Sequence, residues 1–361
     1  MKILIYHPNV HYMGGGETVA LTTASALSEE HDVTILVTKK PDIKKLEAFF
    51  GLSLKNVKFK EFGKLITFLP SMKSFKDSLY IKNAYKYFDN YDLVIDTCSN
   101  GLFYKKIKPK TICYVHFPNY TKPKKGLKYL LNFILIKKED MFQYDEIICN
   151  SKFTQDYVKK LTDKKTEVIY PPVKVDKIKP RKKQNIIVTI GRYSPEKKHE
   201  IMIKAFEEIE KQIPEYEFHI IGSMSDKNYF ESLKKLAGKS KIFFHVNMNH
   251  PDVLKFLEKS KIYWHARGFG ETDPVEYENF GITTVESMAA GCIPIVINLG
   301  AQPEIVQHGV NGFVWKNPEE LKKYSLQTIT TNKEKTLSRE KIKIYTKEKF
   351  IQKIKLITSK F

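Results

Sequence analysis

The chain has 361 residues, of which 42% are hydrophobic and 28% are charged, and this balance excludes an intrinsically disordered protein. A single hydrophobic core rarely extends beyond about 250–300 residues, so the length predicts two domains. The net charge of +20 favours an anionic partner, such as nucleotide phosphates, nucleic acid or an acidic membrane surface, although a lysine-rich overall composition gives the same excess.

The sequence also bears on the compartment. The N-terminal residues MKILIYHP turn polar too early for a signal peptide, and no run of about 20 apolar residues is present that would span a membrane. Four cysteines, Cys98, Cys113, Cys149 and Cys292, show neither a CxxC pair nor a histidine at metal-ligand spacing. These features predict a cytoplasmic protein with reduced thiols and no bound metal.

The first half of the sequence alternates short apolar runs with helical patterns. The run Lys2–Tyr6 predicts a buried strand, Met13–Gly16 a glycine-rich loop, and the apolar spacing over 17–32 a helix. This order predicts βαβ units and a parallel sheet, so residues 1–173 are predicted to form one Rossmann-like domain. Its further strands are predicted at Val33–Thr38, Leu93–Asp96, Thr111–His116 and Glu146–Cys149.

A polar, lysine-rich stretch at 174–184 is predicted to link this domain to a second one at 185–335. Residues 336–361 predict a basic C-terminal helix. The fold class is therefore predicted to be α/β, with two Rossmann-like, doubly wound domains that face a cleft and bind ligands at the carboxyl ends of their strands. The strands of the second domain are predicted at Asn185–Ile190, Glu217–Ile221, Ile242–Val246, Ile262–His265 and Ile293–Ile297.

The glycines before the first helix are candidate phosphate ligands. At Gly15 and Gly16 a backbone without side chains can approach a phosphate, and a helix N-terminus carries a partial positive charge. Val19 stands where a dinucleotide fingerprint needs its third glycine, which disfavours an NAD-linked oxidoreductase. A tight turn without a ligand explains the same glycines.

Three further side chains stand at predicted strand ends. Arg192 and Lys197 lie on the connection between a strand and a helix, where two cations and free N–H groups suit a diphosphate. A solvated basic loop is the alternative. His116 ends a strand of the first domain and is a candidate catalytic residue, although a lone histidine is often structural.

The stretch EYENFGITTVESMAAG contains two glutamates, Glu278 and Glu286, with seven residues between them. Glu278 is predicted to lie in a loop and Glu286 on the first turns of the next helix, with Phe280 and Gly281 presenting N–H groups at the helix start. A carboxylate among apolar residues is costly unless it is hydrogen-bonded, and a vicinal diol of a ribose or sugar would supply two donors. A surface helix with scattered glutamates is the alternative.

These stretches together resemble the family 4 glycosyltransferases, which are retaining, nucleotide-sugar-dependent enzymes of the GT-B fold. A narrower likeness in the first domain is to α-1,2-mannosyltransferases that extend dolichol-linked oligosaccharide from GDP-mannose. The loop 266–281 is longer than the corresponding family loop. The matching motifs are His7-Pro8, Gly14–Glu17, Tyr114–Pro118, Gly191-Arg192, Glu196-Lys197, Glu278, Glu286, Met288–Gly291, Pro294–Val296, Gly300, Pro303–Val306 and Gly309–Phe313.

The resemblance implies a hexosyl transferase in which the first domain binds the acceptor, the second binds the donor and the C-terminal helix packs on the first domain. GDP-mannose is favoured over a UDP-sugar as the donor substrate, and no cofactor is expected. No Asp-x-Asp pair is present to hold a metal, so cations are expected to stabilise the leaving diphosphate. The residues that the resemblance assigns to catalysis are His116, Arg192, Lys197 and Glu278, and those assigned to donor binding are Gly15, Gly16, Arg192, Lys197, Phe280, Gly281 and Glu286.

The acceptor is expected to be a glycan or a polyprenyl- or other lipid-linked sugar. From Gly101 to Lys138 there are ten lysines and no acidic residue. The basic, apolar segment Lys122–Lys138 predicts peripheral attachment to an anionic membrane on its cytoplasmic face, with an ordinary core helix as the alternative. A nucleic-acid-binding protein is the alternative of another class, but no recognition motif accompanies the charge, so no nucleic-acid partner is expected. A GT-B sugar-nucleotide epimerase would share the fold, and the motif at 278–291 fits a transferase better.

Overall fold

The computed structural model divides the chain into two compact units. One unit is formed by Met1–Pro172 together with Lys347–Phe361, and the other by Val173–Thr346. Each is built on a parallel β-sheet with helical connections, so the predicted pair of Rossmann-like domains is confirmed. The structure describes residues 1–62, 73–98, 101, 106–118, 142–331 and 339–361.

The first unit contains a seven-stranded parallel sheet. Its strands are β1 (Lys2–Tyr6), β2 (Asp32–Val37), β3 (Val57–Glu61), β4 (Leu93–Asp96), β5 (Lys110–Val115), β6 (Glu146–Cys149) and β7 (Thr166–Val168). They are arranged in the order β3-β2-β1-β4-β5-β6-β7. Strands β2 and β3 are therefore added on one side of β1 and strands β4 to β7 on the other, so the strand order reverses between β1 and β4. The described helices of this unit are α1 (Gly15–Leu27), α2 (Ile43–Phe50), α3 (Lys73–Phe88), α4 (Lys152–Val158) and the C-terminal α12 (Lys347–Thr358).

The residues of the central strand β1 pack alternately into two cores, one on each face of the sheet. Ile3 and Ile5 belong to a core that includes residues of α1 and α12, whereas Leu4 and Tyr6 belong to a core that includes residues of α3. Successive residues of a strand point to opposite faces, so a continuous apolar run requires cover on both sides. This arrangement leaves the carboxyl ends of the strands, and the loops that follow them, as the place for polar side chains.

The second unit contains a six-stranded parallel sheet. Its strands are β8 (Gln184–Ile190), β9 (Glu217–Gly222), β10 (Ile242–Val246), β11 (Ser260–His265), β12 (Ile293–Ile297) and β13 (Phe313–Trp315). Their order is β10-β9-β8-β11-β12-β13, with the reversal between β8 and β11. The described helices of this unit are α5 (His199–Ile209), α6 (Lys227–Ala237), α7 (His250–Lys259), α8 (Ile282–Ala289), α9 (Gln302–Ile305), α10 (Pro318–Thr330) and α11 (Arg339–Ile342).

The two units divide at Val173 and again at Lys347. The stretch 174–184, predicted as the interdomain linker, lies in the second unit, where Arg181 forms an ion pair with Glu258, and the preceding Val173 pairs with Thr346 in a β-bridge. The return to the first unit begins at Lys347, after α11, instead of at 336. A composition rich in lysine and proline indicated exposure, but it did not indicate these pairings.

Candidate active site

Lys197 and Glu278, which are far apart in the sequence, form an ion pair in the second unit. The Lys197 Nζ lies 3.1 Å from Glu278 Oε2, and both side chains are more than four-fifths buried. Lys197 ends a short 3₁₀ turn after β8, and its aliphatic stem lies over Gly191, where an added Cβ would be 3.1 Å from Lys197 Cδ. The absent side chain at Gly191 therefore leaves room for the path of Lys197 to the carboxylate.

The Glu278 carboxylate is surrounded by basic side chains. Its Oε2 is also 3.5 Å from His265 Nε2 and 3.7 Å from Arg267 Nη1. Burial raises the pKa of Glu278, but the Lys197 charge, the His265 hydrogen bond and the Arg267 charge outweigh it and hold the pKa well below the ordinary value of 4.5. Burial lowers the pKa of His265, so a neutral ring faces the carboxylate. Two cations therefore share one carboxylate, and the net positive charge suits an anionic ligand.

Arg192 does not join this cluster. Its Nη2 lies 3.1 Å from Glu196 Oε1, one turn along the chain, and its side chain is 59% exposed. The sequence predicted Arg192 and Lys197 as a pair of cations, but in the structure only Lys197 contacts Glu278. A role for Arg192 at a diphosphate stays a prediction.

The loop from Glu278 enters α8 through Phe280 and Gly281, as the sequence predicts. Phe280 is buried, and its carbonyl accepts a hydrogen bond from Gln302 Nε2 at 3.3 Å. Gly281 is the N-cap with φ +111°, and a Cβ there would lie 2.4 Å from Gln302 Nε2. Only glycine fits this left-handed position, so Gly281 fixes the direction of the backbone between Glu278 and the start of the helix. The role of these two residues in donor binding stays a prediction.

Glu286 lies on the second turn of α8 and is 6% exposed, so it is not one of several scattered surface glutamates. Its Oε1 is 3.0 Å from Nε2 of His250, the first residue of α7. Burial raises the pKa of Tyr263, and the charges of Glu278 and Glu286 add to that rise. Both carboxylates therefore act electrostatically on one buried ring.

The predicted residues of the first unit also come together. Gly15 and Gly16 form the first positions of α1, and a Cβ on Gly16 would lie 3.6 Å from His116 Nε2. His116 follows β5, and its Nε2 is 3.1 Å from the Thr97 carbonyl oxygen. Burial and the nearby His7 lower the pKa of His116 to about 4, so the ring is neutral at neutral pH.

Three residues of the site in the second unit, His250, His265 and Arg267, were not predicted from the sequence. His265 ends β11 and Arg267 follows it, so both stand at the carboxyl end of a parallel strand. His116 was predicted from its place at the end of a strand, and the same criterion would also have indicated His265 and Arg267. His250 follows the N-cap residue Asn249, which marks a helix start but does not indicate Glu286 as its partner.

The extended loop 266–281 is tied to the site by polar contacts. Lys198 Nζ lies 2.5 Å from Glu271 Oε1, and the Tyr277 hydroxyl donates to the Glu271 carbonyl at 3.0 Å. Arg267 Nε donates to the Glu276 carbonyl at 3.1 Å. The bond to Glu276 holds the Arg267 guanidinium near Glu278, so the loop contributes a second cation to the carboxylate.

The expected membrane attachment and the expected metal independence are not tested by the residues that the structure describes. The segment Lys122–Lys138, predicted to attach to membranes, lies entirely within residues 119–141 and thus outside the described residues. Among the residues that are described, no helix combines the length and apolar composition needed to cross a bilayer. Metal independence stays a prediction.

Two family models match the chain and together extend over 13–349. The model described as Glycosyltransferase Family 4 matches residues 13–177, and the model described as Glycosyl transferases group 1 matches residues 173–349. Their junction lies within a few residues of the division between the two structural units.

Curated relatives point in the same direction. The mouse protein named alpha-1,3/1,6-mannosyltransferase ALG2 is 25% identical over 236 residues, which cover 57% of this chain and 56% of that protein. The Candida glabrata protein named GDP-Man:Man(3)GlcNAc(2)-PP-Dol alpha-1,2-mannosyltransferase is 29% identical over 219 residues, covering 54% of this chain and 41% of that protein. The chain thus spans about half the length of these relatives. An uncharacterized glycosyltransferase of Methanocaldococcus jannaschii is 24% identical, with 97% of this chain and 95% of that protein covered.

Solved structures share the whole fold at low sequence identity. Anabaena HepE in complex with UDP and glucose superposes with a TM-score of 0.73 at 17% identity, covering all of both chains. Sucrose-phosphate synthase from Thermosynechococcus elongatus gives a TM-score of 0.77 at 14% identity, covering 100% of this chain and 98% of that one. At such identities the likeness shows the fold alone.

Proposed function

Because this chain belongs to the family 4 glycosyltransferases of the GT-B fold, we propose that it transfers a hexosyl group from a nucleotide sugar to a glycan or lipid-linked acceptor. We propose α-mannose as the sugar and GDP-mannose as the donor, with retention of configuration. The names of the mannosyltransferase relatives support this choice. The observation that carries the proposal is the ionised Glu278 held between Lys197 and Arg267.

The cluster around Glu278 suits both ends of such a donor. A carboxylate with a low pKa accepts hydrogen bonds from sugar hydroxyls without becoming protonated. Lys197, beside it, can stabilise the negative charge that develops on the diphosphate as the glycosidic bond breaks. The buried Glu286 is assigned to the ribose hydroxyls, and His250 contacts the same carboxylate from the protein side.

In this proposal the leaving diphosphate needs no metal, because protein cations carry out the charge stabilisation. We further propose a lipid-linked acceptor reached at an anionic membrane surface. The lysine-rich sequence from Gly101 to Lys138 supports this part of the proposal.

Nucleotide binding in EDTA tests the proposed donor. A ligand that binds the folded state raises its stability by about 2.7 kcal/mol at 100 times its dissociation constant. We expect GDP and GDP-mannose to raise the melting temperature in EDTA, and GDP-mannose to be slowly hydrolysed to mannose and GDP. UDP and UDP-glucose serve as matched comparisons. Stabilisation by UDP alone would replace GDP-mannose with a UDP-sugar, and an effect that requires added magnesium or manganese would remove the metal-free mechanism.

The substitution Glu286→Gln is expected to weaken donor binding and leave the fold intact. A hydrogen bond to a charged group contributes roughly 1.5–3 kcal/mol, so the dissociation constant for GDP should rise on the order of 10-fold or more. Calorimetric titration of wild type and variant measures this change, and His250→Asn is the control because His250 contacts the same carboxylate from the protein side. An unchanged affinity for GDP in Glu286→Gln would exclude Glu286 from the ribose site.

A further inference from the structure

The first unit contains a connected set of buried polar side chains that the proposed function has not used. His7, Glu17 and Thr97 are exposed by only 3%, 8% and 1%, and they lie beside His116. Each follows or faces the carboxyl end of β1 or β4, next to strands that are otherwise apolar. Buried polar groups are costly unless they are hydrogen-bonded, so their contacts indicate what they hold in place.

Thr97 connects the two histidines. His7 Nδ1 lies 2.9 Å from the Thr97 hydroxyl, which itself donates to the Tyr6 carbonyl at 3.3 Å. The Thr97 hydroxyl and His7 Nδ1 therefore share one hydrogen bond, and the tautomer of His7 determines which of the two donates. The carbonyl of the same Thr97 lies 3.1 Å from His116 Nε2. One residue therefore fixes both rings.

The contact with a carbonyl also determines the tautomer of His116. A carbonyl oxygen can only accept, so Nε2 of His116 carries the hydrogen. Since burial lowers the pKa of this ring to about 4, His116 is neutral at neutral pH and its Nδ1 is the acceptor side.

Glu17 connects the histidines to the glycine loop. Its Oε1 lies 3.6 Å from His7 Nε2, and its Oε2 accepts the backbone N–H of Gly14 at 2.8 Å. A Cβ on Gly16 would lie 3.7 Å from His7 Cε1, close to its distance from His116. The loop is therefore packed against both rings while a single carboxylate holds its first glycine.

We propose that His7, Glu17 and Thr97 are positioning residues, which hold His116 in its Nε2–H tautomer and fix the Gly14–Gly16 loop against it. This inference rests on the proposed function and on the catalytic role that the family resemblance assigns to His116. The three residues contribute to the rate through His116 and the loop, not through contact with the donor. If these residues served stability alone, their substitution would lower the melting temperature but leave kcat and KM of the folded enzyme unchanged.

The pair Thr97→Val and Thr97→Ser tests the positioning role. Valine has the shape of threonine without the hydroxyl, so His7 Nδ1 loses its hydrogen-bond partner while the Thr97 carbonyl remains. We expect Thr97→Val to lower kcat for donor turnover about 10-fold with KM for the donor nearly unchanged, and Thr97→Ser to recover most of this loss. Glu17→Gln, which keeps an oxygen for Gly14, should lower kcat in the same way. Wild-type kcat in Thr97→Val, or no recovery in Thr97→Ser, would overturn the proposal.

A measurement without substrate separates this inference from the proposed function. Imidazole nitrogen-15 NMR of the whole wild-type protein is expected to show His116 neutral and protonated at Nε2 at neutral pH. Thr97→Val keeps the carbonyl that accepts from His116 Nε2, so the His116 ring should stay neutral in the same tautomer, whereas the His7 ring, which loses its partner, should change its shifts. If no donor is turned over and the NMR result is as expected, the proposed function fails and the positioning geometry stands. A cationic ring, or one protonated at Nδ1, would overturn the inference whatever the donor.

Discussion

The substitution Lys197→Ala is expected to lower kcat on the order of 100-fold, because it removes a preorganised charge from the place where the leaving diphosphate becomes negative. The fold should change little, since Arg267 and His265 still face the Glu278 carboxylate. Donor turnover and the melting temperature are the two measurements. A loss of this size with a shift of only a few degrees is the expected pattern.

Lys198→Ala provides the control. Lys198 is the next residue, its side chain is as buried as that of Lys197, and it forms an ion pair with Glu271 instead of Glu278. Removal of this charge should change kcat by less than about threefold, as expected for a charge away from the reacting bond. Equal losses in the two variants would mean that general positive charge, not the position of Lys197, supports turnover. A change below about threefold in Lys197→Ala would place the diphosphate elsewhere.

Sequence periodicity predicted the elements whose residues are uniformly apolar. The strands Leu93–Asp96, Glu146–Cys149, Ile242–Val246 and Ile293–Ile297 were predicted with the observed bounds. Strand β3 at Val57–Glu61 was not predicted, although Val57 and Phe59 alternate with lysines in the pattern of an edge strand. The difference lies in the residues: the edge strand Ile242–Val246 is still mostly apolar, whereas in β3 lysines alternate with the apolar residues and leave only half of that signal.

Lys197, Glu278 and His116 were predicted from the sequence, whereas His250, His265 and Arg267 and the pairings within the site were not. Glycine loops and strand ends indicated where Lys197, Glu278 and His116 would lie. Lys197 meets Glu278 only because β8 and β11 are neighbours in the sheet, which is a property of the topology. His7 and Thr97 meet for a similar reason, because β1 pairs with β4. Such contacts depend on strand order, and strand order cannot be predicted from the residue pattern of a single segment.

The substitution Glu278→Gln is expected to abolish most donor turnover and also to destabilise the second unit. The amide leaves Lys197 and Arg267 close together without the carboxylate that balanced them. Removal of one partner from such a mostly buried pair should lower the free energy of unfolding by on the order of 2 kcal/mol. Glu271→Gln is the matched control, because Glu271 pairs with a single lysine and is more exposed, so a smaller change is expected.

The pH dependence of this stability difference identifies its electrostatic origin. The pKa of Glu278 in the folded protein is held well below 4.5, so its contribution to stability is present above the ordinary value and is lost as the pH falls through the lower one. Glutamine does not titrate. The difference in unfolding free energy between wild type and Glu278→Gln should therefore be constant near neutral pH and shrink as the pH falls below about 4.5. Urea denaturation of both proteins across this range measures it. A difference that persists unchanged in acid would mean that Glu278 stabilises the unit through packing, and that its ion pairs with Lys197 and Arg267 contribute little.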